Sequence, residues 1–188
     1  MSLTRKYEAY LGPLVYGGID GCVTTFAVVS GSVGADLDSA YIIVLGFANL
    51  LADGFSMSIG AYLSSKSELS LEQKRTASTG EQEPPAHATV LAGKTPLKVG
   101  LATYLAFIFV GLIPLLIYVW DYFFPVEANL FLTSSLLTGL GFAVIGWLKA
   151  HVTGTSVIRG LLETLSLGAI AAVVAYGIGH WLKELVIG

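Results

Sequence analysis

The sequence predicts an all-α integral membrane protein, a single domain over residues 1–188 with five transmembrane helices. Three observations carry this. Only 12% of the 188 residues are charged and 54% are hydrophobic, where soluble domains carry about 25% charge. Mean hydropathy is +0.74. Apolar runs long enough to cross a bilayer, about 20 residues, recur at 11–33, 40–64, 97–120, 130–149 and 157–182. The 22 glycines fall largely inside these runs, as membrane helices tolerate and soluble ones rarely do.

The first run contains Asp20 and is too long for the core of a cleaved leader, so it reads as a true span. Cys22 is the only cysteine, which excludes an intrachain disulfide and leaves a small packing residue. A turn with Asp36 and Asp38 leads into the second run. The one sizeable hydrophilic segment follows, Ser65 to about Pro96, with Glu68, Glu72, Lys74, Arg75, Glu81, Glu83 and His87. Its first part, to about Arg75, extends the second helix, and the rest reads as loop. The segment is too short and too poor in apolar residues to fold by itself. Pro114 kinks the third run. Asp121, Pro125 and Glu127 mark its exit, with Trp120 and Tyr122 as interfacial anchors. In the last run Ala171, Ala175 and Gly179 form a small-residue stripe that reads as packing. His151 and His180 lie at span ends without ligand spacing.

Charge sets the orientation. Arg5, Lys6, Lys66, Lys74, Arg75, Lys94, Lys98, Lys149 and Arg159 all fall on one side of a five-span arrangement. Lys183 falls opposite, with Asp36, Asp38, Asp121 and Glu127. The positive-inside rule places the N-terminus and polar loop in the cytoplasm and the C-terminus across the membrane. A net charge of -3 points to no nucleic-acid partner; the bilayer is the expected surrounding.

Asp20 lies about as far before the first turn as Asp53 lies after it, so both carboxylates sit about 25 Å from that face at 1.5 Å per residue. A charged carboxylate at such depth costs about 2.5–3.5 kcal/mol or more unless paired, protonated, or facing water or a cation. Asn49, Asp53 and Met57 recur at intervals of four and share a helix face. Beside them run Ala48, Ala52, Ser56 and Gly60, and the first helix carries Gly17 and Gly21 around Asp20. Small residues at that spacing let helices approach closely, which predicts a tight helix pair or dimer seam edged by the polar groups. Two carboxylates, an amide oxygen and a thioether suit a divalent transition ion better than Mg²⁺ or Ca²⁺. Taken singly, Met57 is a core methionine more often than a ligand, and Asn49 can be interhelical glue. The matched depth of the two aspartates favours a site. Glu68 and Glu72, with Glu81, Glu83 and His87, are candidates to gather metal at a cytoplasmic entrance, although a solvated charge run is the simpler reading; Glu163 either faces the same entrance or pairs with Arg159.

The stretches Tyr16-Gly-Gly-Ile-Asp-Gly-Cys-Val-Thr-Thr-Phe-Ala-Val-Val-Ser-Gly31 and Leu45-Gly-Phe-Ala-Asn-Leu-Leu-Ala-Asp-Gly-Phe-Ser-Met-Ser-Ile-Gly-Ala-Tyr-Leu-Ser64 resemble the vacuolar iron transporter family. The likeness continues through Gly111-Leu-Ile-Pro-Leu-Leu-Ile-Tyr118 and Gly168-Ala-Ile-Ala-Ala-Val-Val-Ala-Tyr-Gly-Ile-Gly179, and so touches all five spans. The resemblance implies a five-helix homodimer that exports Fe²⁺, often also Mn²⁺, from the cytoplasm in exchange for protons, without an organic cofactor. It places the pore aspartate on Asp20 and the pore methionine on Met57. Plant members carry a glutamate where Asn49 stands; here the acid is Asp53. The long glutamate-rich metal-binding insertion of better-known members is absent, and only Glu68 in Lys66-Ser67-Glu68 matches a family position. The resemblance implies the plasma membrane in a prokaryote and the vacuolar membrane in a eukaryote.

Two other classes are compatible with paired intramembrane aspartates. An intramembrane aspartyl protease is disfavoured because Gly18-Ile-Asp20-Gly does not match Gly-x-Gly-Asp. A non-transporting scaffold would tolerate loss of Asp53. The expectation is therefore a transporter and not an enzyme.

Overall fold

The computed structural model describes residues 3–79 and 95–186, and all regular structure among them is helical. The elements are α1 (Leu3–Gly34), α2 (Ser39–Thr79), α3 (Pro96–Gly111), a 3-10 turn (Ile113–Leu115), α4 (Leu116–Phe123), α5 (Leu130–Thr153) and α6 (Val157–Val186). Five segments are long and apolar enough to cross a membrane: Tyr10–Gly34, Ser39–Arg75, Pro96–Phe123, Leu130–Thr153 and Val157–Val186. They match the five expected spans. The second helix extends through Arg75 as expected and continues four residues further, to Thr79. Glu81, Glu83 and His87 lie outside the described residues.

Local chemistry sets the ends. At the close of α1 the Leu37 N–H donates to the Ser32 carbonyl (2.9 Å) and the Asp36 N–H to that of Val33 (3.0 Å). This double closure needs a left-handed residue, and Asp36 takes it at φ 54. Aspartate is among the few non-glycine residues that visit this region. Its carboxylate pairs with Lys183 near the end of α6, tying the last helix to the first turn. The hydrogen bond and charge of Lys183 hold the Asp36 carboxyl below its ordinary range. A depressed folded-state value means the pair contributes above the unfolded carboxylate pKa, about 4, and fades as pH falls through the folded value. Lys183→Ala is expected to return the Asp36 titration to the ordinary range, which carboxylate NMR would read directly.

In the third span Pro114 lacks an N–H, and the helix breaks there into the 3-10 turn. The Pro114 carbonyl accepts a 2.6 Å hydrogen bond from the Ser134 hydroxyl of α5. The predicted kink is thus a helix break, fastened from the neighbouring span. Trp120 and Tyr122 are exposed near its end, as anchors require. The α5 helix starts on Asn129, whose side chain accepts from the Leu132 N–H (2.9 Å). It ends on Gly154 at φ 66.

The α1 helix is central, packing against α2, α3, α5 and α6. Cys22 is fully buried beside Phe26 and Phe142, a packing residue as expected. Gly17 and Gly21 do not form the expected seam with α2. A Cβ on Gly17 would lie 2.5 Å from the Thr103 carbonyl, and one on Gly21 would strike the Phe107 carbonyl. These glycines admit α3. On the other side of α1, a Cβ on Gly34 would meet the Tyr176 backbone, and one on Gly179 of α6 the Gly31 carbonyl. The Ala171–Ala175–Gly179 stripe therefore does pack, against α1. The α2 helix touches α3 more lightly: the Ser58 hydroxyl donates to the Gly100 carbonyl (2.9 Å). A Cβ on Gly100 would approach the Ser58 carbonyl to 2.8 Å.

Candidate functional site

A groove of about 510 Å³ runs between α1 and α2 with α3 as its floor. From α2 it is lined by Asp53, Ser56, Met57, Gly60, Ala61, Ser64, Ser65 and Glu68. These residues follow the three-and-four spacing of one helix face, so a single stripe of α2 forms one wall. Gly12, Pro13 and Tyr16 form the α1 wall, and Val99 and Thr103 the floor. From Asp53 to Glu68 is about 22 Å at 1.5 Å per residue, so the groove runs from mid-membrane to the face that carries the N-terminus.

Asp20 continues the α1 wall one turn beyond Tyr16 and is half-buried. It is outside the groove lining, yet close enough to Asp53 for the two charges to act on each other. The matched depth thus leaves the two carboxylates within electrostatic range of each other. The Thr24 hydroxyl bonds back to the Asp20 carbonyl (2.9 Å), which leaves the Asp20 carboxylate to face its surroundings. Asn49, one turn beyond Asp53, is also outside the lining; its amide nitrogen is buried without a protein acceptor.

Other candidates fall elsewhere. Glu163 does not face the groove and is not simply the partner of Arg159. The Lys149 ammonium donates to it at 2.6 Å, joining α5 to α6. Glu72 is not among the lining residues. Ala52 is exposed beside the groove, while Ser56 and Gly60 are exposed and line it. Sequence reasoning missed Gly12, Pro13, Tyr16, Ala61, Ser64, Ser65, Val99 and Thr103. Continuing the i, i+4 ladder from Met57 would have reached Ala61 and Ser65, and the one through Ser56 and Gly60 would have reached Ser64 and Glu68; nothing comparable marked Val99 or Thr103.

The donor set is mixed: carboxylates from Asp20 and Asp53, a thioether from Met57. Among the described residues no three His, Cys, Asp or Glu side chains cluster in a way that could hold a metal ion.

Comparison with known proteins decides the family. A family profile described as the VIT family matches residues 11–89 and 76–180, most of the chain. The chain belongs to the VIT family. A vacuolar iron transporter of Toxoplasma gondii is 30% identical to this VIT family member over 98% of its length and 78% of the relative's. One from Centaurea cyanus is 26% identical over 87% of the chain and 84% of the relative. Vacuolar iron transporter 1 of Arabidopsis thaliana is 25% identical over 87% and 82%. The groove of this VIT family chain therefore sits in a membrane protein whose relatives transport metal.

Proposed function

We propose that this chain carries divalent transition metal ions, Fe²⁺ first and Mn²⁺ second, out of the cytoplasm in exchange for protons. The observation that carries this is the groove itself. It gives a carboxylate, Asp53, and a thioether, Met57, a route to one membrane face that passes Ser56, Ser64, Ser65 and Glu68, with a second carboxylate, Asp20, within electrostatic reach. An ion enters at Glu68 and passes Ser64 and Gly60 to the level of Met57 and Asp53. There the carboxylates replace part of its hydration shell, and the thioether favours Fe²⁺ and Mn²⁺ over Mg²⁺. After the ion leaves, protons neutralise the buried carboxylates, since empty charges at that depth are costly. Outward of Asn49 the same α2 face carries Leu45 and Tyr41, an apolar barrier on the far side.

The working unit is a homodimer. Ala48, Ala52, Ser56 and Gly60 form an exposed small-residue stripe beside the groove, fit for a second helix to approach. A two-fold partner would double the two carboxylates around one axis and complete the ligand sphere. The charge distribution supports a cytoplasmic mouth for the groove. Names of eukaryotic relatives favour a vacuolar membrane in a eukaryote; a prokaryotic host would use its plasma membrane.

The test is Fe²⁺ and Mn²⁺ uptake into proteoliposomes under an imposed pH gradient. Uptake that follows the gradient and collapses with it supports the exchange. Well-folded protein that moves no divalent ion under either polarity would overturn it.

A further inference from the structure

We propose that the mouth of the groove is a second cation-binding station, built from the Ser65 hydroxyl, the Glu68 carboxylate and the Ala9 carbonyl. This rests on the reading of the groove as an ion path. Ser65 lines the groove, is only 5% exposed, and its hydroxyl oxygen is buried with no protein partner. Helical serines ordinarily return such a hydroxyl to a carbonyl one turn back, as Ser70 does to Lys66 (3.0 Å). Ser65 does not, so its oxygen is left for something that occupies the groove.

The opposite wall supplies a matching acceptor. Pro13 lines the groove inside α1. Having no N–H, it leaves the carbonyl four residues earlier, that of Ala9, without its helical donor. The α1 and α2 helices are antiparallel from a common turn, so equal counts from that turn reach equal depths, and Ala9 lies at the level of Ser64. Glu68 follows Ser65 by three positions and shares its face. Hydroxyl, carbonyl and carboxylate are hard oxygen donors with a single charge among them. They suit a hydrated divalent ion held loosely, with little preference among Mn²⁺, Fe²⁺ and Mg²⁺. The station lies about 18 Å from Asp53 at 1.5 Å per residue, far enough to be filled separately. Loading at the mouth is thus unselective, and discrimination falls to the deeper level with its thioether.

Mn²⁺ binding to the full chain, followed by electron paramagnetic resonance in an Asp53→Asn background, isolates the mouth from the deep site. That background is expected to retain weak Mn²⁺ binding. Adding Glu68→Gln or Ser65→Ala should weaken it about tenfold, near 1.4 kcal/mol, whereas Ser65→Thr, which keeps the hydroxyl, should not. Excess Mg²⁺ should displace the bound Mn²⁺. Binding indifferent to both Glu68→Gln and Ser65→Ala would overturn the station and leave a water-filled mouth. Sensitivity to Glu68→Gln alone would also overturn it, leaving a surface carboxylate. Because binding is read without transport, a wild-type protein that failed to move metal would be recognised separately.

Discussion

Asp53→Asn is expected to abolish gradient-driven metal uptake while leaving the helices and their thermal stability intact or improved. The substitution keeps shape and removes a charge that the membrane penalises by at least about 2.5–3.5 kcal/mol. A purely structural Asp53 would therefore be replaced at no loss. As a ligand it cannot be: even residues that only orient metal ligands cost about 10–100-fold when changed. Loss of a half-buried carboxylate that lines the groove should lower initial uptake rates at least as far. Asp20→Ala should act alike, since its carboxylate works at the same level. Met57→Leu preserves volume, so it should retain transport and lose discrimination against Mg²⁺. Undiminished uptake by Asp53→Asn would return the aspartates to a scaffolding role.

Gly21→Val is expected to damage the fold severely. A Cβ there would strike the Phe107 carbonyl and lie 2.9 Å from the Phe107 Cα. The approach is reciprocal: a Cβ on Gly111 would lie 2.8 Å from the Gly21 carbonyl. Backbone stands on both sides, so neither can yield by a rotamer change. Overpacking where side chains can adjust costs about 1–3 kcal/mol, and this site has no such relief. A lowered Tm and poor recovery from membranes would be the readout. Gly177→Ala is the control, because its Cβ meets nothing within 4 Å. It should be neutral or stabilise α6 by roughly 0.5–1 kcal/mol.

The spans were legible because bilayer thickness imposes length and hydropathy on every crossing. The Asp53–Met57 wall was legible because the helical period assigns residues to a face. Which helix meets which face was not. The spacing of Gly17 and Gly21 announces close approach but is silent about the partner, and α3 took the place expected for α2. Glu163 had cationic neighbours at Arg159 and Lys149, and only the packing of α5 on α6 selects Lys149. Pro13, Val99 and Thr103 carry no charge to flag them; they line the groove because three helices converge there.

The uneven fastening of α2 sets how the groove can work. Added Cβ atoms on Gly17, Gly21, Gly34 and Gly179 would strike opposing backbone, so α1, α3 and α6 interlock as a stator. Against α2, Gly46 and Gly54 meet only side chains, whereas Ser58 and Gly100 meet backbone to backbone. Ser58 lies between Asp53 and Glu68 along the helix. Elsewhere α2 is held through side chains, Ile42 and Leu50 among them, so any tilt of α2 is expected to turn about Ser58. A tilt that widened the mouth at Glu68 would bring the Asp53 end closer to Asp20, and the reverse tilt would part them. Spin labels on α2 either side of Ser58 would shift in opposite senses relative to α1. One serine hydroxyl on one carbonyl would then tie the width of the mouth to the spacing of the two aspartates.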